Sequence, residues 1–208
     1  MIIENKNIDR IDFKHTKSTY GDDLGNHYDE IIGKAFAYVG EQDDEVVAGE
    51  VEAYFLEVEN LKYPVNDLLD VISSDHEAYS VYFNKYNKIN NKIQKLLGIA
   101  EEEYEIMSLN FMYFHKLKVK KEYRGLDIGK TLVHSTINDY KRDSSIALLK
   151  AVPLQFNEGE SFKAEEFKNR SKEVSTKKLL KLYETYGFKT IPGGDGDMVA
   201  YIGDWFIE

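Results

Sequence analysis

The order of patterns along the chain predicts an α/β (α+β) fold, with a mixed central sheet and helices on both of its faces. Three observations carry that expectation. Two β-rich runs, Ile32–Val39 and Val46–Val58, are separated by a short acidic stretch and read as a hairpin. Several later segments repeat apolar residues at steps of three and four, the spacing of a buried helical stripe. A strand–helix–strand passage over residues 107–152 demands some parallel pairing, because a crossover helix returns the chain in the same direction.

The elements follow in order. The first thirty residues are polar and give no assignment. Ile32–Val39 (IGKAFAYV) is a strand, Glu41–Glu45 the turn, and Val46–Val58 (VVAGEVEAYFLEV) a longer strand ended by Asn60–Pro64. Val65, Leu68, Leu69 and Ile72 share one helical face. Tyr79, Tyr82, Phe83, Tyr86, Ile89, Ile93, Leu96 and Leu97 do the same over a longer stretch that Gly98 stops. Met107–Val119 is rich in β formers. Gly125–Asp143 fits a helix with Ile128, Leu132, Val133, Ile137 and Tyr140 on one side. Ile146–Val152 is a continuous apolar run suited to a buried strand, ended by Pro153. Residues 154–175 read as a long polar connection with a weak helical pattern near Phe162–Phe167. Thr176–Tyr186 is a helix closed by Gly187, and Phe188–Ile191 and Met198–Ile202 form a last hairpin around a Pro-Gly-Gly turn. No repeat or inter-domain linker interrupts the chain, so a single domain over 1–208 is expected, with a helical insertion at 60–100 and a variable loop at 154–175.

Composition narrows the chemistry. With no Cys, the chain has no thiol nucleophile, disulfide, Fe–S cluster or Cys-type zinc site. The net charge of −10 disfavours a general nucleic-acid binder, which needs a basic face to displace phosphate counterions. The charged opening segment and the absence of a long apolar run point to a cytoplasmic protein with no membrane partner. His15, His27, His76 and His134 have no metal-ligand spacing. Asp195 and Asp197 with their glycines offer too few ligands for calcium, so no metal is expected.

The informative stretch is Lys116–Lys130, KLKVKKEYRGLDIGK. It leaves a strand, turns on two glycines and enters a helix. Such a start presents unpaired N–H groups together with the positive end of the helix dipole, which makes an anion site. Lys116, Lys118, Lys120, Lys121, Arg124 and Lys130 concentrate positive charge here in an otherwise acidic chain, suiting a polyanion such as a nucleotide diphosphate. The Walker pattern is absent, since Gly125 and Gly129 are four apart, and so is GxGxxG. On spacing alone, an ordinary strand-to-helix turn with a solvated lysine face is an equal alternative.

VKKEYRGLDIGKTLV resembles the acyl-CoA-binding motif of the GNAT superfamily of N-acetyltransferases, commonly V-x-P-x-Y-R-G-x-G-I-G. Val119, Tyr123, Arg124, Gly125, Ile128 and Gly129 match it. Downstream, Leu182–Phe188 (LYETYGF) resembles the family's FYEKLGF segment, in the family's order. The likeness covers residues 107–201. Asp127 replaces the usual middle glycine, and a lysine replaces the usual proline. The connection after Pro153 is longer than usual, although Pro153-Leu154-Gln155 resembles bacterial members of the superfamily. Asp tolerates unusual backbone angles and is suited to capping the next helix, but its carboxylate opposes a diphosphate.

The resemblance implies a mostly antiparallel GNAT-like sheet whose strands splay to form a cofactor cleft, and transfer of an acetyl group from acetyl-CoA to an amine. It implies backbone contacts from Leu117, Lys118 and Val119 to the pantetheine arm. It places the diphosphate on the N–H groups of Arg124, Gly125, Leu126, Asp127, Ile128, Gly129 and Lys130. Tyr183 falls at the family's general-acid position, with Tyr186 as fallback, against the alternative of core tyrosines. His115 is the candidate base, because an unperturbed imidazole titrates near neutrality; its alternative is a sheet histidine without a catalytic duty. Glu50, Glu52 and Glu57 are weaker candidates. The acidic balance favours a cationic acceptor. Two competing readings are a non-catalytic acyl-CoA-binding module, motivated by Asp127, and an interaction domain in which a Tyr79–Leu97 helix docks a partner or a second copy as a homodimer.

Overall fold

The computed structural model of the chain describes residues 8–19, 27–39, 44–59, 61–62, 64–72, 82–84, 86–102, 108, 110–140, 144–153 and 171–203. Its strands are β1 (Ile8–Thr19), β2 (Tyr28–Val39), β3 (Asp44–Leu56), β4 (Phe111–Val119), β5 (Ile146–Lys150), β6 (Lys189–Thr190) and β7 (Asp197–Tyr201). Its helices are α1 (Val65–Ile72), α2 (Asn91–Leu97), α3 (Ile128–Tyr140) and α4 (Lys172–Glu184). The strands form one sheet in the order β1-β2-β3-β4-β5-β7-β6. Only β4 and β5 run parallel; every other neighbouring pair is antiparallel. The architecture is therefore mixed α+β.

The pleat sorts side chains into two cores. Phe111, Tyr113, Ile146, Leu148 and Val199 pack on one face with Leu68 and Leu69 of α1 and Ile93 and Leu97 of α2. Met112, Phe114, Ala147, Leu149, Met198 and Ala200 pack on the other with Ile128, Leu132, Val133 and Ile137 of α3. Both faces of β4 and β5 are thus covered, which is why these strands read as unbroken apolar runs. Each fully buried Leu, Ile or Phe contributes about 1.5–3 kcal/mol.

One irregularity positions the site. Glu52 pairs with Lys116, but Ala53 pairs with Phe114, so His115 is an extra residue on β4. A bulge resets side-chain alternation. Met112 and Phe114 face α3 before it, and Leu117 and Val119 face α3 after it. Without the bulge, Leu117 and Val119 would turn to the opposite face.

The structure departs from the sequence-based expectations in several places. The first thirty residues contain β1 and the start of β2, which begins at Tyr28 rather than Ile32. β1 is an edge strand; Phe13 packs against the α3-side core and His15, two residues on, reaches α3, with Nδ1 2.7 Å from the Asp139 carboxylate and Nε2 3.1 Å from the Thr136 hydroxyl. Asp44 and Glu45, expected in the turn, already belong to β3; residues 40–43 lie outside the described residues.

The expected continuous helix Tyr79–Leu97 is not formed. Residues 73–81 lie outside the described residues, but Phe83 and Ile89 make an antiparallel bridge, and only Asn91–Leu97 is helical. Three asparagines explain this. The Asn84 side chain accepts from the N–H of Tyr86, Asn87 is left-handed at φ 59°, and Asn90 caps α2 by accepting from Lys92 and Ile93. Gly98 ends α2 as expected, with φ 80°. Among the described residues, the helical insertion expected at 60–100 comprises α1 and α2, with the Asn84–Asn90 turn just ahead of α2.

β4 begins at Phe111; Asn110 just ahead of it lies outside the strand, its side chain accepting from the N–H groups of Val58 and Glu59, and residues 103–107 and 109 lie outside the described residues. α3 spans Ile128–Tyr140 and so starts three residues after Gly125, while residues 141–143 lie outside the described residues. β5 ends at Lys150, short of Val152. α4 starts at Lys172, four residues before Thr176, because Ser171 caps it by accepting from the Val174 N–H. The variable loop thus ends before Ser171, and residues 154–170 lie outside the described residues. No helix among the described residues is long and apolar enough to cross a membrane.

Candidate functional site

The β4–β5 ladder is short. Phe111–Phe114 pairs with Ile146–Leu149, and the register records no pair beyond it. From Lys116 to Val119, β4 is paired on its β3 side. A cleft of about 580 Å³ opens along the β5 side, floored by residues 114–119, with α4 as its far wall. Parallel strands point their carboxyl ends to one edge, and that edge of an α/β sheet is where ligands commonly bind.

The chain builds the cleft mouth by local rules. Lys121–Tyr123 make a single 3₁₀ turn whose Tyr123 is buried at 2% exposure and anchors the turn in the core. Arg124 folds back, its Nε donating to the Val119 carbonyl at 3.1 Å. Gly125 is left-handed at φ 84° and Asp127 at φ 55°. The first backbone bond of α3 runs from the Thr131 N–H to the Asp127 carbonyl at 2.9 Å. Ile128, Gly129 and Lys130 therefore contribute the N–H groups that a helix start leaves without intrahelical acceptors. At Gly129 a Cβ would stand 3.0 Å from the Tyr186 hydroxyl and 3.5 Å from Leu117, so a larger residue would push the tyrosine hydroxyl back by a few tenths of an ångström.

His115, Leu117, Lys118, Val119, Arg124, Gly125, Asp127, Ile128, Gly129 and Tyr183 all line this one cleft. Two sequence-assigned residues do not: Leu126 is half-exposed to solvent on the outside of the turn, and Lys130 is on α3 beyond the lining. Asp127 takes the left-handed backbone that glycine would take, as its residue type allows. Its expected side-chain cap is not made: its backbone carbonyl accepts from Thr131, and its carboxylate has no hydrogen bond among the described residues.

Two tyrosines close the far side. Tyr183 and Tyr186 meet edge-to-face at 5.7 Å. Burial, and then the neighbouring Tyr186, push the Tyr183 phenol well above its ordinary range. Burial, and then the Asp127 carboxylate, raise Tyr186. Both phenols are protonated at neutral pH and are proton donors. His134 of α3 holds the same corner, its Nε2–H donating to the Tyr186 carbonyl at 3.2 Å.

His115 stands on the bulge, on the sheet face of Tyr54 and Tyr113, whose rings lie 6.1 and 6.2 Å away. Its Nε2 is 3.9 Å from Oε1 of Glu52, which also accepts from the Tyr54 hydroxyl at 3.0 Å. The structure therefore joins two of the sequence-based base candidates, His115 and Glu52. Glu50 lies further along β3, opposite Lys118, and is exposed. Because His115 belongs to one face and Leu117 to the other, the cleft reaches both faces of the sheet beside the bulge.

Sequence reasoning missed Ser175, Lys178 and Lys150, which also line the cleft. Ser175 fell at the end of the stretch read as a loop, whereas Lys178 was already inside the expected helix; the cap at Ser171 was the signal that α4 began earlier. Among the described residues, no group of three or more His, Asp or Glu side chains is arranged to hold a metal ion. No known protein-family model matches the chain, and no curated protein matches it.

Proposed function

We propose that the chain is a GNAT-type N-acetyltransferase that uses acetyl-CoA as co-substrate and a cationic primary amine as acceptor. One observation carries the reading: beyond Phe114, the β5-side edge of β4 opens a cleft whose mouth is the glycine-bearing start of α3. A splayed strand pair beside an anion-binding helix start is the arrangement that a long thiol ester with a diphosphate at its far end requires. The N–H groups of Ile128 and Gly129 hold the diphosphate, and the β5-side edge of β4 at Leu117 and Val119 hydrogen-bonds the amides of the arm.

Acetyl-CoA supplies an activated acyl carbon and a thiolate leaving group. The protein's part is to hold amine and thioester in line, which is worth up to about 7–11 kcal/mol in ideal geometry. The Val119 N–H, at the open edge, steadies the oxyanion. Tyr183, protonated at neutral pH, supplies the proton to the departing sulfur. His115, backed by Glu52, accepts the proton of the incoming ammonium from the opposite sheet face.

Thermal melting with acetyl-CoA tests the binding half. At a hundredfold excess over Kd, the expected stabilisation is about 2.7 kcal/mol, a shift of about 5–10 °C at this size. An unchanged melting point at millimolar co-substrate removes the reading. Release of CoA thiol across a panel of polyamines and lysine peptides tests the transfer half. A second reading, a CoA-binding module without turnover, is favoured by the Asp127 carboxylate in the cleft; binding without thiol release selects it. The interaction-domain reading loses its surface, since the expected docking helix is not continuous.

A further inference from the structure

The strands β4 and β5 part at a defined place. Their last register pair is Phe114 with Leu149, so His115 and Lys150 are the next residue on each strand and flank the opening. Ile146 and Leu148 pack with Tyr113 in the α1–α2 core. Alternation puts Lys150 on that same side of the sheet, where His115 also stands. Both residues line the cleft, which reaches through the sheet at this point.

Lys150 is a cation with unmet donors. Its side chain is 27% exposed, and among the described residues its charge has a single partner, Oδ1 of Asp197 at 3.9 Å, beyond hydrogen-bond length. The other Asp197 oxygen already accepts from Tyr82. An ammonium carries three donors, and a partly buried charge is costly unless it is paired and hydrogen-bonded. The other cleft lysines differ. Lys116 and Lys118 stand opposite Glu52 and Glu50 in the β3–β4 register, and Lys178 on α4 is exposed. β7 lies on the side of β5 away from β4, so Asp197 holds the ammonium from outside the cleft and leaves it available to an anion within.

That anion is not the diphosphate, which belongs at the α3 start, beyond Val119 at the other end of the open stretch. It belongs to the molecule whose ammonium faces His115. We infer that Lys150 is a specificity-determining residue that pairs with a carboxylate of the acceptor, so that the acceptor is an aminocarboxylate rather than a polyamine. The inference rests on the acetyltransferase reading and deepens it by naming the acceptor class. The acceptor's ammonium gives its proton to His115. Its nitrogen then bonds to the acetyl carbon as the C–S bond breaks, the thiolate takes the Tyr183 proton, and the carboxylate stays on Lys150 throughout.

Thiol release with β-alanine and γ-aminobutyrate, each against its own neutral amide, tests this in wild type and Lys150→Met, with a melting point for each protein. The expected wild-type preference for carboxylate over amide is about 10- to 100-fold in kcat/KM, carried mostly by KM, which is the range of a charge-assisted hydrogen bond. In Lys150→Met the ratio should fall to about one. A wild-type ratio near one overturns the inference and leaves the acetyltransferase reading standing; that measurement needs no variant and decides the matter where Lys150→Met does not fold. A preference that survives in folded Lys150→Met also overturns it, because another group then holds the carboxylate. Absence of thiol release with every amine, polyamines included, removes the acetyltransferase reading and this inference with it.

Discussion

The two faces of the sheet use the same strands and end differently. On the α1–α2 face the chain is sealed. Tyr82 donates to the buried Asp197 carboxylate at 2.5 Å, Lys92 Nζ donates to the Pro192 carbonyl at 2.6 Å, and Lys189 Nζ donates to the Leu96 carbonyl at 3.1 Å. These bonds tie the Asn-rich turn and α2 to the final hairpin. On the α3–α4 face the polar groups beside β4 and β5 are left open: the start of α3, the Ser175 hydroxyl and the Asp127 carboxylate. A folded chain tolerates unmet polar groups where a ligand meets them and satisfies them elsewhere. The sealed face still leaves one buried oxygen, Asp197 Oδ1, without a hydrogen bond, with Lys150 Nζ 3.9 Å away, so the two faces differ in whether a cleft opens beside their polar groups rather than in complete satisfaction.

Removing a hydroxyl from the open face gives the largest expected effect. Tyr183→Phe keeps the ring contacts with Tyr186 and Phe188 and removes the proton donor. Turnover should fall about 100-fold or more, the usual contribution of a general acid, with CoA affinity changed less than about twofold. Steady-state kinetics beside calorimetry read the two separately. Unchanged turnover returns Tyr183 to the core. The matching change on the sealed face, Tyr82→Phe, should lower stability by about 1–3 kcal/mol by leaving Asp197 without its donor, and leave CoA affinity unaltered.

How far the sequence reveals each face follows from the same difference. The start of α3 is legible because its requirements are local: two glycines, a basic strand and an apolar helix face announce themselves over Lys116–Ile137. The strands β4 and β5 are legible because burial on both faces leaves an apolar run. The Asn-rich turn is only half legible. Tyr82, Phe83, Ile89, Ile93 and Leu97 are indeed buried, but a bridge followed by a short helix buries the same residues that one long helix would. Tyr86 betrays the difference, being 68% exposed where a helical stripe would bury it. Asn84, Asn87 and Asn90 were the overlooked evidence. β1 is hidden because histidine reaches α3 where an apolar residue would have completed an alternating pattern. The His115 bulge has no sequence signature, since register is a property of the strand pair.

Asp127→Gly sharpens the contrast by relieving the open face. Asp127 is a left-handed non-glycine residue whose carboxylate borders the diphosphate site. Glycine should remove a repulsion and a backbone cost of about 1 kcal/mol. CoA affinity is expected to rise about tenfold, with a melting point higher by about 2–4 °C. A fall in affinity would make the carboxylate a ligand contact instead.

The smallest expected effect is the dependence of stability on pH, with an acid limb from the open face and an alkaline limb to which buried tyrosines of both faces contribute. His134, on the open face, has its pKa lowered, first by burial and then by the Lys130 charge, against a smaller opposing contribution from its bond to Tyr186. Below about pH 6.5 the unfolded chain takes up a proton at this position that the folded chain resists. Stability should therefore fall as pH drops from about 6.5 through the lower folded value, and His134→Gln should flatten that limb. Tyr82, on the sealed face, has its pKa raised by burial and by its bond to Asp197. Above about pH 10 the unfolded chain loses a proton that the folded chain keeps, so stability present below pH 10 should decline as pH rises further. Tyr82→Phe should melt lower at pH 7 and lose less than wild type between pH 9 and pH 11 (roughly the window of an ordinary phenol). Equal alkaline losses in variant and wild type would mean that Tyr82 is not sealed against solvent, and the distinction between the faces would weaken accordingly.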